Sequence, residues 1–237
     1  LINTTIFGSG SSGNGYLVDD GSEWLMVEAG IPYKRVAPRM AFRFSQVAAM
    51  FISHEHGDHS KYIRQYLSKT EMTMYMSAGT AKALELPPSY RVVIMEPLKE
   101  YRIGTWTVTG FPVEHDAAEP MGFIFDNNQG DRLLYVTDTY YVKYRFSKIT
   151  HMLVEMNYAE DIAQERVDRG ELDYTLHSRI LTSHFEMTNA LTFIGVNLSK
   201  YLKQVTLIHL SRDNGDPERF KRKTQQLTGV PVTIAGR

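Results

Sequence analysis

With 237 residues, a formal net charge of −1, 43% hydrophobic and 22% charged residues, the chain can bury a sizeable core and is balanced like a globular protein, which excludes a disordered or strongly cationic polypeptide. No apolar run approaches the roughly 20 residues that span a bilayer, and the opening LINTTIFGSG lacks the basic start and apolar stretch of a secretory leader, so a cytoplasmic location and no membrane partner are expected. The absence of cysteine removes disulfides, thiolate ligands and thiol nucleophiles together, and any metal must be held by imidazole and carboxylate.

In chain order, TTIFGSG (Thr4 to Gly10) reads as a short strand meeting a glycine-rich turn. GYLVDD and EWLMVEAG form a hairpin around Asp20-Gly21, and VAAMFI (Val47 to Ile52) is a buried strand. A helix follows with Tyr62, Ile63, Tyr66 and Leu67 on one face. TMYMSAGTAKALEL gives a strand and a short helix, and RVVIMEP another strand. TWTVTGFPVEH and MGFIFDNNQGDRLLYVTD are strand material with a turn at Asn127 to Gly130, and HMLVEM is again a buried strand. A long helix is expected over residues 158–180, then a helix ALTFIGVNLSKYL capped by Thr188, a strand VTLIHL, and a helix ERFKRKTQQL that starts at Asp216-Pro217 and stops at Gly229. No repeat, low-complexity tract or linker divides the chain, so residues 1–237 are expected to form a single domain. Strands flanked by helices in both halves predict an α/β (α+β) fold, a four-layer αββα sandwich of two mixed sheets with helices outside.

Two short stretches invite functional readings. GSGSSGNG (Gly8 to Gly15) lacks the lysine of a phosphate loop and strand character resumes at once, so it reads as a tight turn. SHEHGDH (Ser53 to His59) follows a buried strand, where a rigid scaffold can present side chains without satisfying them internally. His54 and His56 are two apart, so in extended backbone they point the same way and can grip one ion. Asp58 and His59 come just past Gly57, where the chain can turn and offer them to a second ion. This is not a helical HExxH site, which needs histidines at i and i+4. Three basic runs, Lys61 with Arg64, Lys143 to Lys148 and Arg219 to Lys223, read first as solvated faces, and His151 and His177 as structural histidines.

HEHGDH resembles the HxHxDH signature of the metallo-β-lactamase fold superfamily, whose members are αββα sandwiches with a dinuclear metal site at one edge. The resemblance implies further ligands at strand ends, and His115, Asp138 and His209 follow in order. It implies that His54, His56 and His115 hold one metal and Asp58, His59 and His209 the other, with Asp138 bridging. SHFEMTNA and VEMNYAED are similar to loops of the phosphodiesterase branch, which makes His184 the proton donor to the leaving group and Glu155 the residue that orients it. Asp58, His184 and Glu155 are then the catalytic residues. SGSSGNGYLV, SHEHGDH, LVEMNYAED, SHFEMTNA and LIHLSRDNGDPE together resemble the bacterial YycJ (WalJ) group, implicated as 5′ to 3′ exonucleases on DNA; similar short proteins occur in phages. Two segments depart from the pattern: Glu28 replaces an aspartate, and Phe185-Glu186 replaces Leu-Ser, which sets an extra acid against a polyanionic substrate.

The resemblance implies a hydrolase with two divalent metal ions, zinc first and manganese, iron, cobalt or nickel also tolerated. Its reaction would be attack of metal-bound hydroxide on phosphorus, with nucleic acid or a nucleotide as substrate and an exonuclease ahead of the alternatives. The alternatives are a phosphodiesterase for cyclic or small nucleotides and a thioester hydrolase of the glyoxalase II kind. A β-lactamase with a cysteine ligand is excluded. Relatives of this kind often pair, which admits a homodimer.

Overall fold

A computed structural model describes residues 2–236. Their strands belong to two mixed β-sheets flanked by helices, as expected. The chain divides into two compact units, Leu1–Pro112 with Ala117–Asp131 and Gly236–Arg237, and Val113–Asp116 with Arg132–Ala235.

The first unit carries β1 (Asn3–Gly8), β2 (Gly15–Asp19), β3 (Trp24–Val27), α1 (Tyr33–Val36), β4 (Val47–Phe51), α2 (Gly57–Ser60), α3 (Ile63–Lys69), β5 (Thr73–Met76), α4 (Ala78–Ala83), β6 (Val92–Ile94), β7 (Glu100–Ile103), β8 (Trp106–Pro112) and β9 (Met121–Asn127). Strands β1 to β6 lie side by side in chain order, antiparallel up to β3 and parallel from there, while β7, β8 and β9 form an antiparallel meander. The run VAAMFI is apolar throughout because β4 is covered on both faces. Met50 and Ile52 join a helix-side core with Val36, Ile63 and Tyr66. Phe51 points the other way, with its ring 5.2 Å from Tyr75, 5.5 Å from Phe123 and 5.2 Å from Phe125. Sheet packs on sheet through these aromatics.

The second unit carries β10 (Arg132–Val136), β11 (His151–Glu155), α5 (Glu160–Asp168), α6 (Tyr174–Leu181), α7 (Met187–Val196), β12 (Gln204–Ile208), α8 (Pro217–Thr228) and β13 (Val232–Ile234). Its four strands run parallel in the order β13-β12-β11-β10, and every residue of β11 is buried. Helix α8 begins and ends as its sequence predicts. Asp216 accepts the Arg219 amide, Pro217 opens the first turn, and Gly229 closes it at φ 68°.

Several expectations are corrected. The helix expected over 158–180 is two, because Gly170 adopts φ 71° and the Asp173 carboxylate accepts the Thr175 and Leu176 amides to start α6 afresh. Glu186, not Thr188, caps α7, accepting the amides of Thr188 and Asn189. That helix stops at Val196, short of Leu202. The short elements α1, β7 and β13 were not anticipated. Among the described residues no helix is long and apolar enough to cross a membrane.

Phe51→Ala removes the ring at the centre of the aromatic contact and is expected to cost about 3–5 kcal/mol. Urea unfolding should show a lower midpoint, with the far-ultraviolet spectrum of the native state retained.

Candidate metal centre

In the first unit the histidine cluster sits between β4 and α2. The loop is held in place by backbone pairing. The Asn14 amide donates to the Asp58 carbonyl at 2.7 Å, Ala29 N–H to the His59 carbonyl at 2.7 Å and Gly30 N–H to the Asn14 carbonyl at 2.9 Å. So close an approach requires glycine at position 30, where a Cβ would stand 1.7 Å from the Asp58 carbonyl oxygen. His54 is buried, and its ring lies 4.8 Å from that of His56 and 4.2 Å from that of His59. His59 Nε2 is 3.3 Å from Asp58 Oδ2. The four residues of the motif are therefore brought together, with Asp58 and His59 in the first turn of α2.

Two residues around this cluster extend its description. Glu28, read only as a departure, is buried with its Oε1 3.4 Å from His59 Nδ1, and its Oε2 accepts the Ser53 amide at 3.3 Å. Asn14, inside the stretch read as a tight turn, was missed. The loop is a turn between β1 and β2, yet the Asn14 side-chain nitrogen reaches Asp58 Oδ2 at 3.2 Å and His59 Nε2 at 3.0 Å. Its partners lie 44 and 45 residues away in sequence, so no local pattern marks it.

In the second unit Glu155 ends β11 and is fully buried. Its Oε1 accepts from His184 Nδ1 at 2.8 Å, His209 Nδ1 at 3.1 Å and Asn157 Nδ2 at 3.2 Å. Its Oε2 accepts the Thr139 amide at 3.0 Å and the Phe185 amide at 3.2 Å. Asp138 Oδ1 is 3.3 Å from His209 Nδ1, and its Oδ2 is 3.8 Å from His115 Nε2 and 4.0 Å from His184 Nδ1. His115 Nδ1 donates to the Ser183 carbonyl at 2.8 Å. The structure thus gathers His115, Asp138, Glu155, His184 and His209. His151 and His177 stand apart in packing roles: His151 Nδ1 meets Thr150 Oγ1 at 2.8 Å and His177 Nε2 faces Glu160 at 3.5 Å.

The titration of these groups follows from their surroundings. Burial alone depresses the His184 pKa, but the charge and hydrogen bond of Glu155, reinforced by Asp138, raise it above the ordinary imidazole value. Burial likewise pushes Glu155 up, and the charge of His184 with the bonds from His184 and His209 outweighs it, leaving that carboxyl below the ordinary carboxylate range. For His115 burial prevails over Asp138 and the value is lowered.

The donor set fits divalent metal. It consists of imidazole and carboxylate, and within the second unit Asp138, Glu155, His184 and His209 offer ligand atoms all within 4.8 Å of one another. His54, His59, His115 and His209 each turn Nδ1 to an oxygen, of Ser53 at 2.8 Å, Glu28 at 3.4 Å, Ser183 at 2.8 Å and Glu155 at 3.1 Å. Outer oxygens of this kind fix the ring and direct Nε2 to an ion. Glu28, Asp138 and His209 also share φ values of 67°, 39° and 54°, a conformation costly outside glycine that turns the chain sharply at the ends of β3, β10 and β12.

Fold and donor set define the class. Residues 23–194 match the model of the beta-lactamase superfamily domain, and the chain belongs to this family, as a hydrolase of the metallo-β-lactamase fold. Among named proteins it is similar to exodeoxyribonuclease YycJ of Bacillus anthracis, 27% identical over 95% of this chain and 89% of that protein. Exodeoxyribonuclease WalJ of Streptococcus pneumoniae is 28% identical over 90% of this chain and 83% of its own length. In fold it is similar to Zn2+-bound PqqB from Methylobacterium extorquens, with a TM-score of 0.73, 14% identity and coverage of 98% and 97% of the two chains.

Gly30→Ala is expected to force the Asp58 backbone away, lowering the melting temperature or abolishing soluble protein. Gly57→Ala, whose new Cβ meets nothing within 4 Å, should stay within about 0.5 kcal/mol of the parent in the same melting experiment.

Proposed function

We propose that the chain acts as one domain, a cytoplasmic two-metal phosphodiesterase that degrades nucleic acid as an exonuclease, DNA first. His54, His56 and His115 would hold one ion and Asp58, His59 and His209 the other, with Asp138 bridging them. Imidazole and carboxylate suit zinc first, and manganese, iron, cobalt and nickel after it. Two such ions would activate water at neutral pH and neutralise charge on the phosphoryl oxygens.

The observation that carries the reading is the His184–Glu155 pair at 2.8 Å. Glu155 accepts the hydrogen bond from Nδ1–H, so Nε2 is the atom from which His184 would release a proton to the departing oxygen. Cleaving the P–O bond of a phosphodiester expels an alkoxide, which needs that proton, whereas cleaving the C–S bond of a thioester expels a stable thiolate, which does not. The pair therefore favours phosphodiester cleavage over the glyoxalase II kind of chemistry. The names of the two relatives, which match most of their length, favour a nucleic acid over a small or cyclic nucleotide. Glu186, which weighed against a polyanion, spends its carboxylate on the α7 amides.

With the metal-loaded protein, single- and double-stranded DNA, RNA and cyclic nucleotides should separate the substrates. Release of mononucleotides from a DNA end is expected, and turnover of cyclic nucleotides alone would transfer the reading to the small-nucleotide class. His184→Ala should retain its metal and lose about 10² to 10⁴ in rate on DNA, but far less on an activated aryl phosphodiester. Equal losses on both would remove His184 from the proton-donor role. Asp138→Ala should bind fewer than two ions per chain by elemental analysis; undiminished stoichiometry would show that it is not the bridge.

A further inference from the structure

In two of the three basic runs one arginine is tied to structure. Arg64 donates to the carbonyls of Leu84 and Glu85 at 3.0 Å, and Arg219 pairs with Asp161 at 2.6 Å. The third is different. It lies in the stretch of residues 137–150 between β10 and β11, which forms no helix or strand yet is anchored. Thr139 Oγ1 bonds the carbonyls of Glu114 at 2.9 Å and Tyr141 at 2.8 Å, and the Phe146 amide donates to Asn197 Oδ1 at 2.6 Å. A long ordered loop without regular structure is uncommon in a compact fold and is usually functional.

Its side chains alternate. Tyr141, Lys143 and Arg145 are exposed, while Val142 is buried and Tyr144 and Phe146 are half-buried. Lys143 Nζ lies 5.2 Å from the centre of the Tyr144 ring, and among the described residues no carboxylate pairs with Lys143 or Arg145. Tyr140 and Tyr141 are 39% and 56% exposed, unusual for two adjacent large aromatics on a hydrogen-bonded loop. With Phe185 and Asn189 these residues line a cavity of about 510 Å³. Along the chain this lining adjoins two of the gathered side chains, since Tyr140 is two residues past Asp138 and Phe185 follows His184.

We propose that this loop and the adjoining face of α7 bind an unpaired nucleic-acid strand leading to the site, with bases stacked on Tyr140 and Tyr141 and phosphates held by Lys143 and Arg145. The inference rests on the phosphodiesterase reading and adds that the strand entering the site is unpaired where it crosses this loop. Exposed aromatic faces interleaved with unpaired cations serve both halves of a nucleotide, because any base can stack and every phosphate carries charge. A paired duplex offers phosphates but hides its base faces, so the tyrosines would have nothing to stack on. An apolar peptide would leave both cations buried without partners.

The test uses the full chain and a fluorescein-labelled thymidine 12-mer with a phosphorothioate backbone, which reports binding without cleavage. Fluorescence anisotropy across a salt series should show that Lys143→Ala/Arg145→Ala weakens binding tenfold or more. It should also flatten the slope of log affinity against log salt by about 1.4, the value for two lost single-strand phosphate contacts. Tyr140→Ala/Tyr141→Ala should weaken binding by a similar factor with the slope unchanged, and should leave affinity for a blunt duplex as in the parent. Lys221→Ala/Lys223→Ala on α8 is the control for general basicity and should bind like the parent. Melting temperatures within a few degrees of the parent establish that the variants are folded. Loop variants that bind as tightly as the parent, a control that loses as much as they do, or a parent that does not bind the oligonucleotide would each overturn the inference. Hydrolysis of bis(4-nitrophenyl) phosphate by the metal-loaded parent tests the phosphodiesterase reading separately, so its failure is not confused with a failure of strand binding.

Discussion

A carboxylate sealed from water must be matched by donors or it will not stay charged, and Glu155 is the place where the second unit meets that constraint. Its two oxygens take five donors from segments that are far apart in the chain: the turn after β10, the residues just past β11, the turn before α7 and the residue after β12. Each donor is thereby fixed in position. Two of them are His184 and His209, so the interaction that makes burial of the charge tolerable is also the one that aims the imidazoles. Tolerance of the buried charge and placement of the imidazoles share one hydrogen-bond network, so loosening it disturbs both.

The first unit solves the same problem differently. Glu28 is equally buried beside the His59 imidazole and the Ser53 amide, and the cluster is also fixed by backbone zipped to backbone through Asn14, Ala29, Gly30, Asp58 and His59. The absence of a side chain at Gly30 permits that approach. In both units the strand ends that deliver the clustered carboxylates and imidazoles leave the β region abruptly, at Glu28, Asp138 and His209. Regular sheet hydrogen bonding on one side of these residues holds the unfavourable conformation in place. Strain of this kind is tolerated where geometry is worth more than local comfort.

Much of this was legible in the amino-acid sequence, for identifiable reasons. The ligand types in HEHGDH sit within six residues, where spacing alone sets relative direction, and the strands that carry them are apolar runs whose character survives without context. Helix α8 was legible because its start and stop signals, Asp216-Pro217 and Gly229, are local. The break between α5 and α6 had its signals too, in Gly170 and Asp173, but the polar residues around them obscure any periodicity. Edge strands such as β7 and β13, four and three residues long, carry too little pattern to be recognised. Asn14 and Asn157 were invisible as supports because their partners are set by tertiary structure alone. Glu186 was missed as the cap of α7 because glutamate is an uncommon N-cap.

The same distinction governs how net charge should be read. A formal charge of −1 argues against a protein held to a polyanion by its overall field, yet it says nothing of where unpaired cations remain. Arg64, Arg166, Arg179 and Arg219 are tied to backbone carbonyls, to Asn214, to Asp116 and to Asp161. These contribute to the sum but offer little to a ligand. Lys143 and Arg145 contribute equally to the sum and have no carboxylate partner among the described residues, on a loop whose exposed tyrosines supply what charge alone lacks, a surface for bases. Attraction concentrated beside the site directs a polyanion to one place, whereas a diffuse positive surface would hold it everywhere, and a near-neutral chain with one such track is the arrangement that confines binding to the residues that use it.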